Sequence, residues 1–188
     1  FDQWEEQDDL NPDTERESVQ GSQAGRASVS AESNHENLGS LKQIIAGKRH
    51  IASLTKDGYV YTYGQSYSGI LGHGGSLQCD SPMIVKKLSD KRVLQIACGE
   101  FHTLALTDGY DVYAWGRGNE GQLGVSVATT VAASPQYLKA FYQKYPIQIQ
   151  CGAYYSLAIT KDGDLYGWGE AKLGQLGLGK QRELNLPT

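Results

Sequence analysis

The sequence predicts an all-β fold: consecutive four-stranded blades of a partial β-propeller, preceded by a disordered acidic tail. Three observations predict it. Glycine is in excess, 23 of 188 residues or about 12% against a usual value near 7%, alongside 12 tyrosines and only 5 prolines. That composition favours short strands and tight turns over a helical bundle or collagen. From residue 41 onward the chain repeats itself at a period of about fifty residues, the length of a propeller blade. Charge is also divided, with ten acids and two bases over residues 1–40 (net −8) and fifteen bases and eleven acids over the rest (net +4).

The first element is the segment 1–40, rich in Ser, Gln, Asn and Glu and poor in aliphatic residues. It cannot bury enough apolar surface to offset its ordering entropy, so it reads as a disordered acidic tail or linker. The propeller repeats follow over about 41–92, 93–145 and 146–188. Gly47, Gly99 and Gly152 define the register, with spacings of 52 and 53. Ile44, Ile96 and Ile149 stand three residues before them, and Thr55, Thr107 and Thr160 eight residues after. Tyr63-Gly64, Trp115-Gly116 and Trp168-Gly169 come next, then Leu71-Gly72, Leu123-Gly124 and Leu176-Gly177, and finally Pro82, Pro135 and Pro187.

Within each unit the local chemistry agrees with this register. Ile51–Thr55, Thr103–Thr107 and Ser156–Thr160 are short apolar strands. Each is followed by Asp57-Gly58, Asp108-Gly109 or Asp162-Gly163, dipeptides suited to the positive φ of a hairpin turn. Tyr59–Tyr63, Asp111–Trp115 and Asp164–Trp168, rich in β-formers, supply the next strands. A glycine-studded loop and a proline-led strand complete about four strands per unit.

Cys79, Cys98 and Cys151 are odd in number, without a CxxC pair, and the chain has no Asn-x-Ser/Thr acceptor. A reducing, intracellular setting is expected. No apolar run approaches membrane-spanning length, so no membrane span is expected.

Gly116-Arg-Gly-Asn-Glu-Gly121 spells the dinucleotide fingerprint, but that motif needs a following helix, and no helical periodicity follows. Gly174–Lys180 resembles a phosphate loop yet has Gln181 where the Mg²⁺-holding hydroxyl belongs. Both are products of recurring blade loops. His50 and His102 occupy equivalent positions in different units and read as structural, hydrogen-bonded histidines, with no zinc-ligand spacing. Cys98 and Cys151 read as small buried strand residues, and Cys79 as a loop residue. No metal, cofactor or catalytic set is expected.

Two places suit recognition instead. Lys48-Arg49, Glu100-Phe101 and Ala153-Tyr154 follow equivalent glycines, so they line one rim, where charge and aromatic groups favour protein contacts. Lys86 and Lys87, with Lys91 and Arg92, form a basic cluster able to meet phosphate or an acidic partner, against the plainer reading of a lysine-protected strand edge.

The stretch Ile96–Leu106, with Gly116–Gly124 ten residues on, resembles the regulator of chromosome condensation repeat. Departures are Gln150 and Ile45 at a usually small position, Tyr155 at the usual histidine, and the less regular Gly69-Ile-Leu-Gly72. The resemblance implies a seven-bladed ring, so these three units are expected to be part of a longer protein whose remaining blades lie outside this sequence, a reading the Phe1 start fits. It also implies one of several functions: a non-catalytic interaction platform in a larger assembly, or a guanine-nucleotide exchange factor for a Ran-like small GTPase, with chromatin or nucleic acid a weaker partner. Members that sense ultraviolet light carry tryptophan after the glycines that correspond to Gly47, Gly99 and Gly152. Lys48, Glu100 and Ala153 stand there in this chain, against photoreception. The interaction platform is the leading expectation.

Overall fold

In a computed structural model, residues 38–75, 78–126, 128–177 and 184–188 are described. The acidic tail expected over 1–40 therefore lies, up to residue 37, outside the described residues. What is described is all-β, three antiparallel sheets in a row forming part of a propeller. The first runs β1 (Leu41–Ala46), β2 (His50–Thr55), β3 (Val60–Gly64) and β4 (Cys79–Ile84) in spatial as in chain order. The second repeats this with β5 (Val93–Cys98), β6 (His102–Thr107), β7 (Val112–Arg117) and β8 (Val131–Tyr137). The third has β9 (Pro146–Cys151), β10 (Tyr155–Thr160) and β11 (Leu165–Gly169). Beyond β11, Leu184 exchanges backbone hydrogen bonds of 3.0 and 2.7 Å with Gly169, and Thr188 pairs likewise with Gly167, along the line of a fourth strand. Short 3₁₀ turns at Lys86–Leu88 and Lys139–Phe141 carry the chain from one blade to the next.

The hairpins joining second to third strands follow their sequences with one exception. Gly58 (φ 96°) and Gly163 (φ 88°) take the left-handed position as expected. In the second blade that position falls to Tyr110 (φ 63°), not Gly109. Asp108-Gly109 stands one residue earlier than its counterparts, so the residue in register with Gly58 is a tyrosine. The local cost of about 1–2 kcal/mol is offset by closure of the turn, where Thr107 N–H donates to the Asp111 carbonyl at 3.0 Å. The Tyr110 ring also packs edge-on against Tyr145, centroids 5.6 Å apart.

Blades pack face to face around a core that includes Leu104, Leu106, Ile96, Ile149, Trp115 and Trp168. Two devices recur at each joint. On the inner strands, Gln43 donates to the Ile96 carbonyl at 3.0 Å and accepts from the Ile96 N–H at 3.0 Å. Gln95 does the same to Ile149, at 2.9 and 3.0 Å. Further out, the Trp115 indole donates to the Ile70 carbonyl of the preceding blade at 3.0 Å, and Trp168 donates to the Gln122 carbonyl at 2.8 Å. Both tryptophans are fully buried. The Leu-Gly step makes room for them, since a Cβ on Gly72 would come within 2.8 Å of Trp115 Nε1, and one on Gly124 within 2.7 Å of Trp168 Nε1. The paired Trp-Gly and Leu-Gly columns are thus two halves of one joint. Gly116 (φ 105°) and Gly169 (φ 102°) let the third strand end in a conformation only glycine adopts without strain.

Candidate functional site

The rim expected from the sequence forms where β1, β5 and β9 turn into β2, β6 and β10. Gly47, Gly99 and Gly152 make that possible by close approach: a Cβ on Gly99 would overlap the His102 ring and lie 2.6 Å from the Gly152 carbonyl oxygen. With no side chains there, the turns bond to one another. Lys48 N–H donates to the Glu100 carbonyl at 3.1 Å, and Glu100 N–H to the Ala153 carbonyl at 3.0 Å. A hydrogen-bonded thread therefore crosses all three blades.

Side chains follow the same line. The Lys48 ammonium pairs with the Glu100 carboxylate. That contact and, after it, the Tyr154 hydroxyl hold the Glu100 carboxyl below its usual range, while Glu100 raises the Tyr154 hydroxyl above its own. Lys48 Nζ and Arg117 Cζ lie 5.3 and 5.8 Å from the Phe101 ring centroid, within cation–π range. The structure thus brings Lys48, Glu100, Phe101 and Tyr154 together. Phe101 is only 9% exposed, packed on Ile70 and Leu71, so it serves as a wall rather than a projecting tip.

Arg49 stands beside this group and opens onto a cleft of about 510 Å³ between the first two blades. The cleft is lined by Arg49, Gln65, Tyr67, Gln78, Phe101 and Arg117. Arg49 donates to Gln65 Oε1 at 2.6 Å. Arg117 donates to Glu120 at 2.7 Å, and Gln122 donates to the other oxygen of that carboxylate at 2.9 Å. Tyr67, 56% exposed, meets Phe101 with centroids 5.9 Å apart.

Lys86 and Lys87 are not part of this rim. In the first sheet Cys79 pairs with Gly64 at the rim end, whereas Ile84 pairs with Tyr61 toward the other end. The 3₁₀ turn carrying Lys86 and Lys87 follows Ile84, so they stand at the far end of the blade. There they border a separate cavity of about 280 Å³ with His73 and Ser134.

His50, Cys98 and Cys151 serve the fold. His50 Nε2 lies 2.9 Å from Thr103 Oγ1, and burial lowers its pKa to about 4. Burial pushes the Cys98 thiol up to about 12 and holds the Cys151 thiol well above its usual value, the reverse of an activated thiolate. Cys79 opens β4 rather than lying in a loop, because its backbone joins the ladder opposite Gly64. Gly116 and Arg117 are the last two residues of β7 and a loop, not a helix, runs on through Gly121, so the dinucleotide fingerprint lacks its helix. Among the described residues no three His, Cys, Asp or Glu side chains are placed to hold a metal, and no helix is long and apolar enough to cross a membrane.

Gln65, Tyr67, Gln78 and Arg117 were not among the sequence candidates. One signal marks two of them: Gln65 and Arg117 each follow a left-handed glycine of the third strand, Gly64 and Gly116, and their N–H groups donate to the Arg49 and Phe101 carbonyls at 3.0 and 2.8 Å.

Residues 57–106 and 111–159 match the family described as the regulator of chromosome condensation (RCC1) repeat, and a second family of that description matches 93–122 and 147–175. The human E3 ubiquitin-protein ligase HERC2 is 38% identical over 146 residues, which is 77% of this chain and 3% of that protein. The Arabidopsis thaliana ultraviolet-B receptor UVR8 is 38% identical over 148 residues, 78% of this chain and 33% of the receptor. Mouse protein RCC2 is 34% identical over 140 residues, 73% of this chain and 26% of RCC2. The chain thus spans a third or less of each of these relatives. Among solved structures, human WBSCR16 superposes with a TM-score of 0.72 at 26% identity, over 79% of this chain and 37% of that one. Prp20p from Saccharomyces cerevisiae shares the fold, with a TM-score of 0.71 at 23% identity over 79% of this chain and 37% of its own.

Proposed function

As the chain belongs to the regulator of chromosome condensation (RCC1) repeat family, we propose that its blades are a non-catalytic protein-interaction module of a larger protein, engaging a protein partner through the rim. The observation that carries this reading is the continuous rim from Lys48 through Glu100 to Tyr154, which presents charged and aromatic groups on a backbone fixed by inter-blade hydrogen bonds. Rigid presentation lowers the ordering cost of binding, which is what a recognition surface requires. The same repeats occur at 38% identity in a protein named as a ubiquitin ligase and in one named as a light receptor. Repeats compatible with such different activities act as a platform rather than as the seat of one chemistry.

Selection of binders from a random-peptide library tests this. Enriched peptides are expected to lose about tenfold or more in affinity for the Lys48→Ala/Arg49→Ala chain, and to retain it for Lys86→Ala/Lys87→Ala. Binders indifferent to the rim pair, or no enrichment at all, would overturn the proposal. Labelled-nucleotide release from a panel of small GTPases runs alongside, and acceleration of any one by this chain would replace the platform with an exchange factor.

A further inference from the structure

Resting on the rim reading above, we propose that the cleft between the first two blades is a seat for one carboxylate side chain, Asp or Glu, of an extended partner peptide, with an aromatic or large apolar neighbour of that residue covering Tyr67.

The charge count at the cleft points to a single carboxylate rather than a polyanion. Lys48 and Arg117 are each matched, by Glu100 and Glu120. Asp80, near the cleft mouth, accepts from Gln78 at 2.7 Å. Arg49 pairs with no carboxylate among the described residues. A phosphate backbone gains affinity from several uncompensated cations in a row, and the cleft offers one. What it does offer is geometry. One terminal nitrogen of Arg49 is committed to Gln65 at 2.6 Å, which orients the planar fork and leaves further donors for a two-pronged bond to a carboxylate. Arg117, bordering the same cleft, keeps a buried Nε–H with no hydrogen-bond partner among the described residues, a donor the fold itself does not use.

The apolar half of the seat is equally defined. Phe101 is held from below by Ile70 and Leu71, and Tyr67 leans on it while remaining 56% exposed. An exposed aromatic on a rigid aromatic base is the arrangement that anchors a partner side chain at low ordering cost. Cation and aromatic surface lie in one cleft of about 510 Å³, enough for adjacent peptide residues to use both.

The test uses blocked tetrapeptides carrying Phe followed by Glu, Gln or Lys, titrated into the ¹⁵N-labelled chain. The Glu peptide is expected to shift the side-chain amide signals of Gln65 and Gln78. The Gln and Lys peptides are expected to bind at least about tenfold more weakly. Arg49→Ala should abolish the preference for Glu over Gln, and Arg49→Lys should reduce it, because the charge stays while the fork is lost. Equal binding of the Glu and Gln peptides, shifts centred on Lys86 and Lys87, or tighter binding of a thymidylate decamer at the same residues would each overturn the carboxylate seat. The rim reading survives that outcome if library-selected peptides still depend on Lys48 and Arg49. If nothing depends on them, both fall.

Discussion

His102 Nε2 lies 2.9 Å from Ser156 Oγ in the following blade, repeating the 2.9 Å contact of His50 with Thr103 one blade earlier. The Ser156 hydroxyl donates to the Gln122 carbonyl at 2.9 Å, so it accepts from His102, which fixes the proton on Nε2. Trp168 donates to that same carbonyl. The strand, the loop and the neighbouring blade thus meet at one buried, uncharged knot.

The first prediction concerns acid. Burial lowers His50 to about 4 and His102 to about 3, against about 6.5 in the unfolded chain. Both folded values are depressed, so the unfolded chain binds more protons in acid. Stability is complete above about pH 6.5 and falls as pH drops toward 4 and 3. Unfolding free energies from urea titrations are expected to fall between pH 7.5 and 4, by an amount on the order of a few kcal/mol in total. A His102→Gln chain should show a flatter slope across that interval. A slope unchanged by the substitution would contradict the assignment.

The second prediction separates two glutamines in one column. Gln95→Ala leaves the buried N–H and C=O of Ile149 unpaired and is expected to cost about 2 kcal/mol in urea unfolding. Gln148 is exposed on the third inner strand. Its replacement by Ala should fall within about 0.5 kcal/mol of the parent.

A third prediction contrasts two glycines. Gly99→Ala forces a methyl into the His102 ring and the Gly152 carbonyl, and should cost about 3 kcal/mol or prevent folding. Gly75→Ala, with no atom within 4 Å and no positive φ to strain it, should be close to neutral by thermal melting.

Much of this architecture was legible because each joint needs the same parts at the same place in every unit. Trp115, Gly72 and Gly99 recur for steric reasons, and a steric requirement leaves a fixed letter in the sequence. The Gln43, Gln95 and Gln148 column was equally periodic, yet a lone polar residue in an inner strand reads as solvent-facing until its bonds to the next blade are seen. Tyr110 escaped for the opposite reason. Its Asp-Gly pair shifted by one residue, so composition pointed at Gly109 while the backbone needed a left-handed residue one step later. The cleft was legible only in part: Arg49 and Phe101 stood out as rim residues, but nothing joined them to Gln65, Tyr67, Gln78 and Arg117. Arg49 precedes the second strand of one unit and Arg117 closes the third strand of the next, so no spacing within a repeat links them.

The tryptophan joint has a direction. Each of the first two blades extends a loop carbonyl forward and receives its successor's indole, Ile70 to Trp115 and Gln122 to Trp168. A connector of that kind is indifferent to which blade it joins. The acceptor is a backbone carbonyl, so the joint places no demand on which side chain the donating loop carries, Ile70 in one blade and Gln122 in the next. The joint acts as a standard fitting, and the rim is where individual identity is written.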